Sequence, residues 1–270
     1  MAVEILNYGG GRQTVAMCIL VRRGVLPKPD RIIIANTGRE KTSTWEYMAE
    51  ITQPLLAQIG LSVEIAPRSL AYVDLYGFNG SLLLPAFTAT GKLSAFCSDE
   101  WKAQVVNRYL HLSSLGYTQA EIEDMPESRV RAEMKRRVDK HFINWIGFAW
   151  DERARIKNTD NRRFHLCDLV LTKADCIRII EDEGHPLPPT SSCWMCPNMR
   201  NWQWRQVRDD YPNDFKSACE LDDEIREWDI ASGNDGVWLH HSRVPLREAD
   251  LDADDSKEPA RQCGLGMCMI

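Results

Sequence analysis

Residues 3–14 run Val3-Glu4-Ile5-Leu6-Asn7-Tyr8-Gly9-Gly10-Gly11-Arg12-Gln13-Thr14. They read as a buried strand, a glycine turn and the start of a helix. Three consecutive glycines let the backbone come close to a neighbour and take angles that other residues resist. The helix is predicted to begin near Gln13 and to run through Val15-Ala16-Met17-Cys18-Ile19-Leu20. Its first N–H groups have no partner inside the helix, and its dipole favours an anion there. One reading is therefore a phosphate-binding turn. The other is a tight turn between a strand and a core helix. Neither of the two common nucleotide loops is present. A Walker loop would end in Gly-Lys-Ser/Thr, and a dinucleotide fingerprint would need a small residue at Thr14 and an acidic one at Asn36.

A chain of 270 residues holds one α/β domain with a C-terminal extension, or two small domains. Its 44% hydrophobic and 27% charged content fits a soluble globular enzyme rather than a disordered or membrane protein. No apolar run approaches the ~20 residues of a membrane helix. The N-terminus has no basic region followed by an apolar one, so a cytoplasmic protein is expected. The net charge of -6 argues against a non-specific nucleic-acid coat but leaves room for a local basic face. Nine cysteines without an export signal point to metal, Fe–S or redox chemistry rather than structural disulfides. Cys18 and Cys219 sit in apolar helical patterns and are expected in the core.

Arg31-Ile32-Ile33-Ile34-Ala35 is a second buried strand. Asn36-Thr37-Gly38-Arg39-Glu40 follows at its C-terminal end, the edge where ligands sit in open α/β sheets. A helix is predicted over 44–59 and a strand over 61–65. This alternation implies a parallel sheet with right-handed crossovers. Residues 69–94 are irregular, and a helix is predicted over 98–116. Residues 127–141 read as a basic helix with Arg129, Arg131, Lys135, Arg136, Arg137 and Lys140, either a solvated face or a phosphate contact. A strand over 142–146 leads into Gly147-Phe148-Ala149-Trp150-Asp151-Glu152-Arg153-Ala154-Arg155. Thr172 and Asp175 form a capping box, and Gly184 stops that helix. Phe215, Ala218, Leu221, Ile225 and Trp228 mark one face of a later amphipathic helix. The acidic stretch 248–258 is expected to be poorly ordered.

Pro186, Pro188 and Pro189 force an extended loop into Cys193-Trp194-Met195-Cys196-Pro197. The CxxC spacing lets two thiolates bind one metal or cluster, and redox dithiols use it too. Its late position behind a proline-rich loop favours ligation.

These motifs together resemble the PP-loop superfamily of ATP pyrophosphatases and sulfonucleotide reductases. That superfamily carries Ser-Gly-Gly-x-Asp-Ser, or a variant, after its first strand. Here Gly9 stands for the serine and Gln13 for the aspartate, the latter as in the phosphoadenosine phosphosulfate (PAPS) reductase branch. The resemblance spans residues 5–268. It implies an α/β fold of the adenine nucleotide alpha hydrolase type, a twisted parallel sheet with helices on both faces, plus a helical, cysteine-containing C-terminal part. Residues 1–184 would form the nucleotide domain, with 69–141 a helical insertion near the site, and 185–270 would pack on it.

The implied nucleotide contacts are Tyr8, Gly9, Gly10, Gly11, Arg12, Gln13 and Thr14, with Asn36, Thr37, Gly38, Arg39 and Glu40 on the adenosine side. Asn36 replaces the family's aspartate. Arg153 and Arg155 would face acidic groups of the substrate, which the planar guanidinium suits. Cys97, shortly before Lys102, would join Cys193 and Cys196 as ligands of a [4Fe–4S] cluster or a zinc ion. Cys268, Cys263 or Cys176 would complete the set. Gln262-Cys263-Gly264-Leu265 is similar to the tail whose cysteine attacks sulfur in the reductases, so Cys263 is either nucleophile or ligand.

Three functions follow as expectations. The first is AMP-forming activation of an acceptor by ATP, with Mg2+ at the phosphates, coupled to sulfur transfer as in tRNA or DNA thiolation, with a sulfur or electron donor protein as partner. The second is reduction of PAPS or adenylylsulfate. The third is a non-enzymatic nucleotide-binding module with a structural zinc. One fold of this kind hosts several reactions.

Overall fold

A computed structural model describes residues 2–156 and 160–255. Cys263 and Cys268 lie outside the described residues.

Strand β1 (Ala2–Asn7) is the middle of the main sheet. Ile5 and Leu6 are fully buried on opposite faces, as the two-residue period of a strand requires. Burial on both faces is why this run shows no polar alternation. Helix α1 (Arg12–Arg22) follows, and residues 13–21 are all buried. Strand β2 (Arg31–Ala35) pairs with β1. Next come α2 (Thr42–Tyr47), a π-helical turn (Met48–Thr52), α3 (Gln53–Ala57) and β3 (Val63–Ala66). The short β4 (Phe87–Thr88) precedes a π-helical turn (Asp99–Ala103) that runs into α4 (Gln104–Ser114). Two small helices, α5 (Gln119–Glu123) and α6 (Glu127–Glu133), lead to β5 (His141–Trp145) and β6 (Arg162–Arg163). The remaining elements are α7 (His165–Asp168), α8 (Lys173–Asp182), α9 (Asn201–Asp210), α10 (Pro212–Ala231) and β7 (Val237–Trp238).

The main sheet is parallel throughout, in the order β3-β2-β1-β5-β6. Helices α1, α3 and α8 cover one face, and α4 with α5 and α6 covers the other. This is the α/β class expected from the alternation of elements. The chain leaves β1 toward β2 on one side and returns as β5 on the other. A crevice therefore opens at the C-terminal ends of these strands. The predicted capping box holds α8: the Thr172 side chain accepts from Asp175 N, and the Asp175 carboxylate accepts from Thr172 N.

A second apolar core lies beside the sheet. It joins Leu75, Leu84 and Trp101 to Trp204, Ala218 and Ile225 of α9 and α10, with the antiparallel ribbon of β4 and β7 at its rim. Asp222 is fully buried at its centre. Its carboxylate accepts from Leu239 N at 2.7 Å and Leu246 N at 2.9 Å and pairs with Arg226 at 2.7 Å.

Three expectations are corrected. The basic helix ends at Glu133, so Lys135 to Lys140 connect α6 to β5 outside any helix, and β5 already begins at His141. Met134 only partly packs on the core, and no buried apolar side chain continues the helical period beyond it. Residues 248–255 are docked, not loose. Asn201 N donates to Asp255 Oδ2 at 2.9 Å, and Arg205 donates to Leu251 O at 2.5 Å. Trp228 is 46% exposed, at the edge of the α10 face, with its ring 4.4 Å from that of Tyr76 and tilted by 40°. No helix among the described residues is long and apolar enough to cross a membrane.

Candidate functional site

The glycine turn is tightly built. Gly10 has φ +68°, and a Cβ there would run into the Thr44 side chain. A Cβ on Gly11 would lie 2.9 Å from Ser191 Cβ, and Ser191 Oγ donates to Gly9 O at 2.6 Å. The segment that carries the CxxC motif is thus seated on the turn. Among the described residues no side-chain hydrogen bond caps α1 at Gly11, and no acidic residue stands in its first turn, so the dipole is left to favour an anion. Thr14 Oγ1 donates to Gly11 O at 3.1 Å. The Tyr8 side chain turns into the core, where its hydroxyl meets Thr52 Oγ1 at 2.8 Å and burial raises its pKa. Arg12 looks into an open groove of about 670 Å³, walled by Tyr47, Pro189 and Trp202.

Gln13 reaches the loop after β5. Its Nε2 donates to Glu152 Oε2 at 3.0 Å, while Arg155 and Lys173 pair with Glu152 Oε1 at 2.5 and 3.1 Å. Arg155 is therefore committed to a carboxylate beside the helix start. Arg153 stacks on Trp150 at the surface, with its guanidinium carbon 4.6 Å from the ring centre.

The loop after β2 forms the other wall. Asn36 Oδ1 accepts from Gly38 N at 2.8 Å, and Gly38 has φ +67° against Arg68. Arg39 pairs with Asp74 at 2.8 Å, and its backbone oxygen accepts from Trp194 N at 3.0 Å. Glu40 bridges Cys193 through the backbone. Its side chain, 1% exposed, pairs with Lys102 Nζ at 2.9 Å. Cys193 Sγ lies 3.8 Å from both Glu40 Oε1 and Thr37 Oγ1. Burial pushes the Cys193 thiol up, the Glu40 charge adds to this, and Lys102 opposes it.

Cys97, Cys193 and Cys196 line one cavity of about 40 Å³ with Lys102, Ser191 and Asn198. Among the described residues no three His, Cys, Asp or Glu side chains stand as a ready metal-ligand group. Cys176 is packed in the core with α1, where burial lifts its pKa to about 12, so it is removed as a fourth ligand.

The structure thus brings residues 9–14, the Thr37 to Glu40 loop, Lys102 and three cysteines to one edge of the sheet. Arg153 is not part of that gathering. Sequence reasoning missed Ser191, Glu152 and Lys41. Lys41 is 3% exposed and donates to Thr190 Oγ1 at 3.2 Å; burial lowers its pKa to about 8. Its place directly after Glu40 was the available signal.

Buried polar atoms without a partner among the described residues include Arg12 Nε, Glu40 Oε2, Thr44 Oγ1, Ser192 Oγ and Asn198 Nδ2 around the turn and the cysteine cavity, with others elsewhere in the fold such as Asn7 Oδ1, Arg22 Nε and Trp204 Nε1. Native structures pair most such atoms, and a ligand is one reason for leaving them open. Compared with protein-family models, curated proteins and solved structures, the chain finds no match in any of the three.

Proposed function

We propose that the chain is a PAPS-reductase-like PP-loop enzyme of the adenine nucleotide alpha hydrolase type. It binds ATP, or a PAPS-type nucleotide, across the C-terminal ends of β1 and β2. Its reaction is AMP-forming activation of an acceptor coupled to sulfur transfer, with nucleic acid as an acceptor class. One observation carries this reading: the cysteine segment is seated on the glycine turn, with Ser191 on Gly9 and Cys193 on Glu40.

The chain's own residues divide the work. Backbone N–H groups at the start of α1 and the Arg12 guanidinium hold phosphate oxygens. An acceptor atom attacks the α-phosphorus, and pyrophosphate departs as its charge is met by these donors. Glu152 fixes Gln13 and so the start of α1. Lys102, paired with Glu40, keeps a positive charge beside the thiols.

Cys97, Cys193 and Cys196 have the donor chemistry for an iron–sulfur cluster or zinc, with Cys268 as the fourth ligand. They do not form a finished ligand set within the described residues. When bound, a cluster supplies sulfur or redox chemistry, and zinc supplies a clasp. The tail Gln262-Cys263-Gly264-Leu265 favours a second reading, a sulfonucleotide reductase with Cys263 as nucleophile.

Anaerobically purified protein is expected to contain iron and acid-labile sulfide, both lost in Cys193→Ala. Zinc without sulfide would turn the cysteines into a structural clasp, and neither metal would remove them from ligation. Pyrophosphate release from ATP separates the first reading from the second, for which sulfite release from PAPS should vanish in Cys263→Ser.

A further inference from the structure

A ladder of alternating rings and guanidinium groups rises to the surface next to the site, from Arg108, buried and donating to Leu70 O at 2.8 Å, to the exposed Arg131 and Phe78. The Arg108 guanidinium carbon lies 3.6 Å from the Tyr72 ring centre, and that of Arg131 lies 4.0 Å from it. Arg131 also faces the Phe78 ring at 5.7 Å. The rungs come from three separate parts of the chain: the segment after β3, α4 and α6. Phe78, the outermost rung, is 79% exposed, more than any other large apolar side chain among the described residues.

The inner end of the ladder opens into a cleft of about 210 Å³ lined by Thr37, Arg39, Arg68, Tyr72, Asp74 and Trp101. Arg39 and Arg68 share the single carboxylate of Asp74. Arg131 also pairs with Glu127 at 2.6 Å, and Glu100 acts on Arg108 from farther away. Four arginines facing these three carboxylates leave the strip positive on a chain whose net charge is -6.

We infer that this strip binds single-stranded nucleic acid. An unpaired base offers a flat π-face that stacks on an exposed ring or on a guanidinium plane, and the phosphates between bases meet the cations. A duplex hides its base faces and can use only the charges. Phe78 offers an exposed ring and Arg131 a partly exposed cation beside it, which suits a base with its flanking phosphate rather than an isolated anion. The strip also leads to the candidate site. Trp101 lines both the cleft and the cysteine cavity, and Arg39 stacks over its ring at 4.9 Å. The inference rests on the proposed function only for the choice of nucleic acid as partner. Binding is read without nucleotide or turnover, so its failure would leave the cysteine-site reading standing.

The test is fluorescence anisotropy of the full chain with a labelled single strand of about 12 nucleotides, as DNA and as RNA, against the duplex of the same sequence. The single strand is expected to bind more tightly than the duplex. Phe78→Ala should weaken single-strand binding about tenfold and leave duplex binding unchanged. Arg131→Glu should weaken it further and flatten its salt dependence by about one phosphate contact. Arg131→Lys keeps the charge but loses the planar stack, and should fall between wild type and Arg131→Glu. Phe78 packs into no core, so its variant should melt with wild type. Equal affinity for single strand and duplex, unchanged binding in Phe78→Ala, or full competition by an acidic peptide would overturn the inference.

Discussion

Replacing Lys102 by methionine is expected to lower the stability of the folded chain by about 3–5 kcal/mol, because it leaves a buried carboxylate without its cation. Glu40 is 1% exposed, and its Oε1 holds Lys102 Nζ at 2.9 Å while its Oε2 has no partner among the described residues. Water cannot replace the lost ammonium at such a site. The double variant Lys102→Met with Glu40→Gln removes both charges and should recover much of the loss, since a buried pair replaced by neutral groups of similar volume is often close to neutral. Urea denaturation of the two single variants and the double variant checks this. Additive losses, or a Lys102→Met variant as stable as wild type, would mean that Glu40 is not held by this pair.

Asp222→Ala is expected to cost a similar amount, about 3–5 kcal/mol. The fully buried carboxylate ties α10 to the chain on both sides of residues 239–246 through Leu239 N, Leu246 N and Arg226. Alanine leaves two backbone donors unsatisfied inside the second core and removes one of the two carboxylates that hold Arg226. Asp222→Asn keeps the shape and one acceptor oxygen but faces Leu239 N, Leu246 N or Arg226 with a second donor, so it should lie between the two. A Tm for Asp222→Ala within a degree or so of wild type would contradict this role. Loss of nucleotide binding without loss of stability would also contradict it, because the effect would then be at the site rather than in the core.

Local signals in the sequence reached the sheet and missed the pairings. The run from Val3 to Leu20, the isoleucines of β2 and the Thr172 box each carry their meaning within one short stretch of chain, and the structure places a strand, a turn or a helix at each. The glycine turn could be read as a close approach, but not that Ser191 makes it: the partner is 182 residues away. Glu152 looked like one letter of a motif, yet it gathers Gln13, Arg155 and Lys173. Asp222, inside the acidic run Glu220-Leu221-Asp222-Asp223-Glu224, gave no sign of burial, because the backbone donors that hold it arrive from residues 239 and 246. The basic run 134–140 carries good helix formers, but propensity alone does not hold a helix once its apolar stripe ends. The acidic stretch 248–255 is ordered by contacts that composition cannot encode, as Arg200, Asn201 and Arg205 take up its carbonyl and carboxylate groups.

The most direct test of the nucleotide site is calorimetric titration of anaerobically prepared protein with ATP and with PAPS, repeated on Gly10→Ala. Gly10 has φ +68° and no room for a Cβ against Thr44, so alanine there distorts the turn. Saturable binding of at least one of the two nucleotides by wild type, lost in a Gly10→Ala variant that still folds, is the predicted result. No binding of either nucleotide by the intact protein, or equal binding by the variant, would contradict the assignment of residues 9–14 as a phosphate loop.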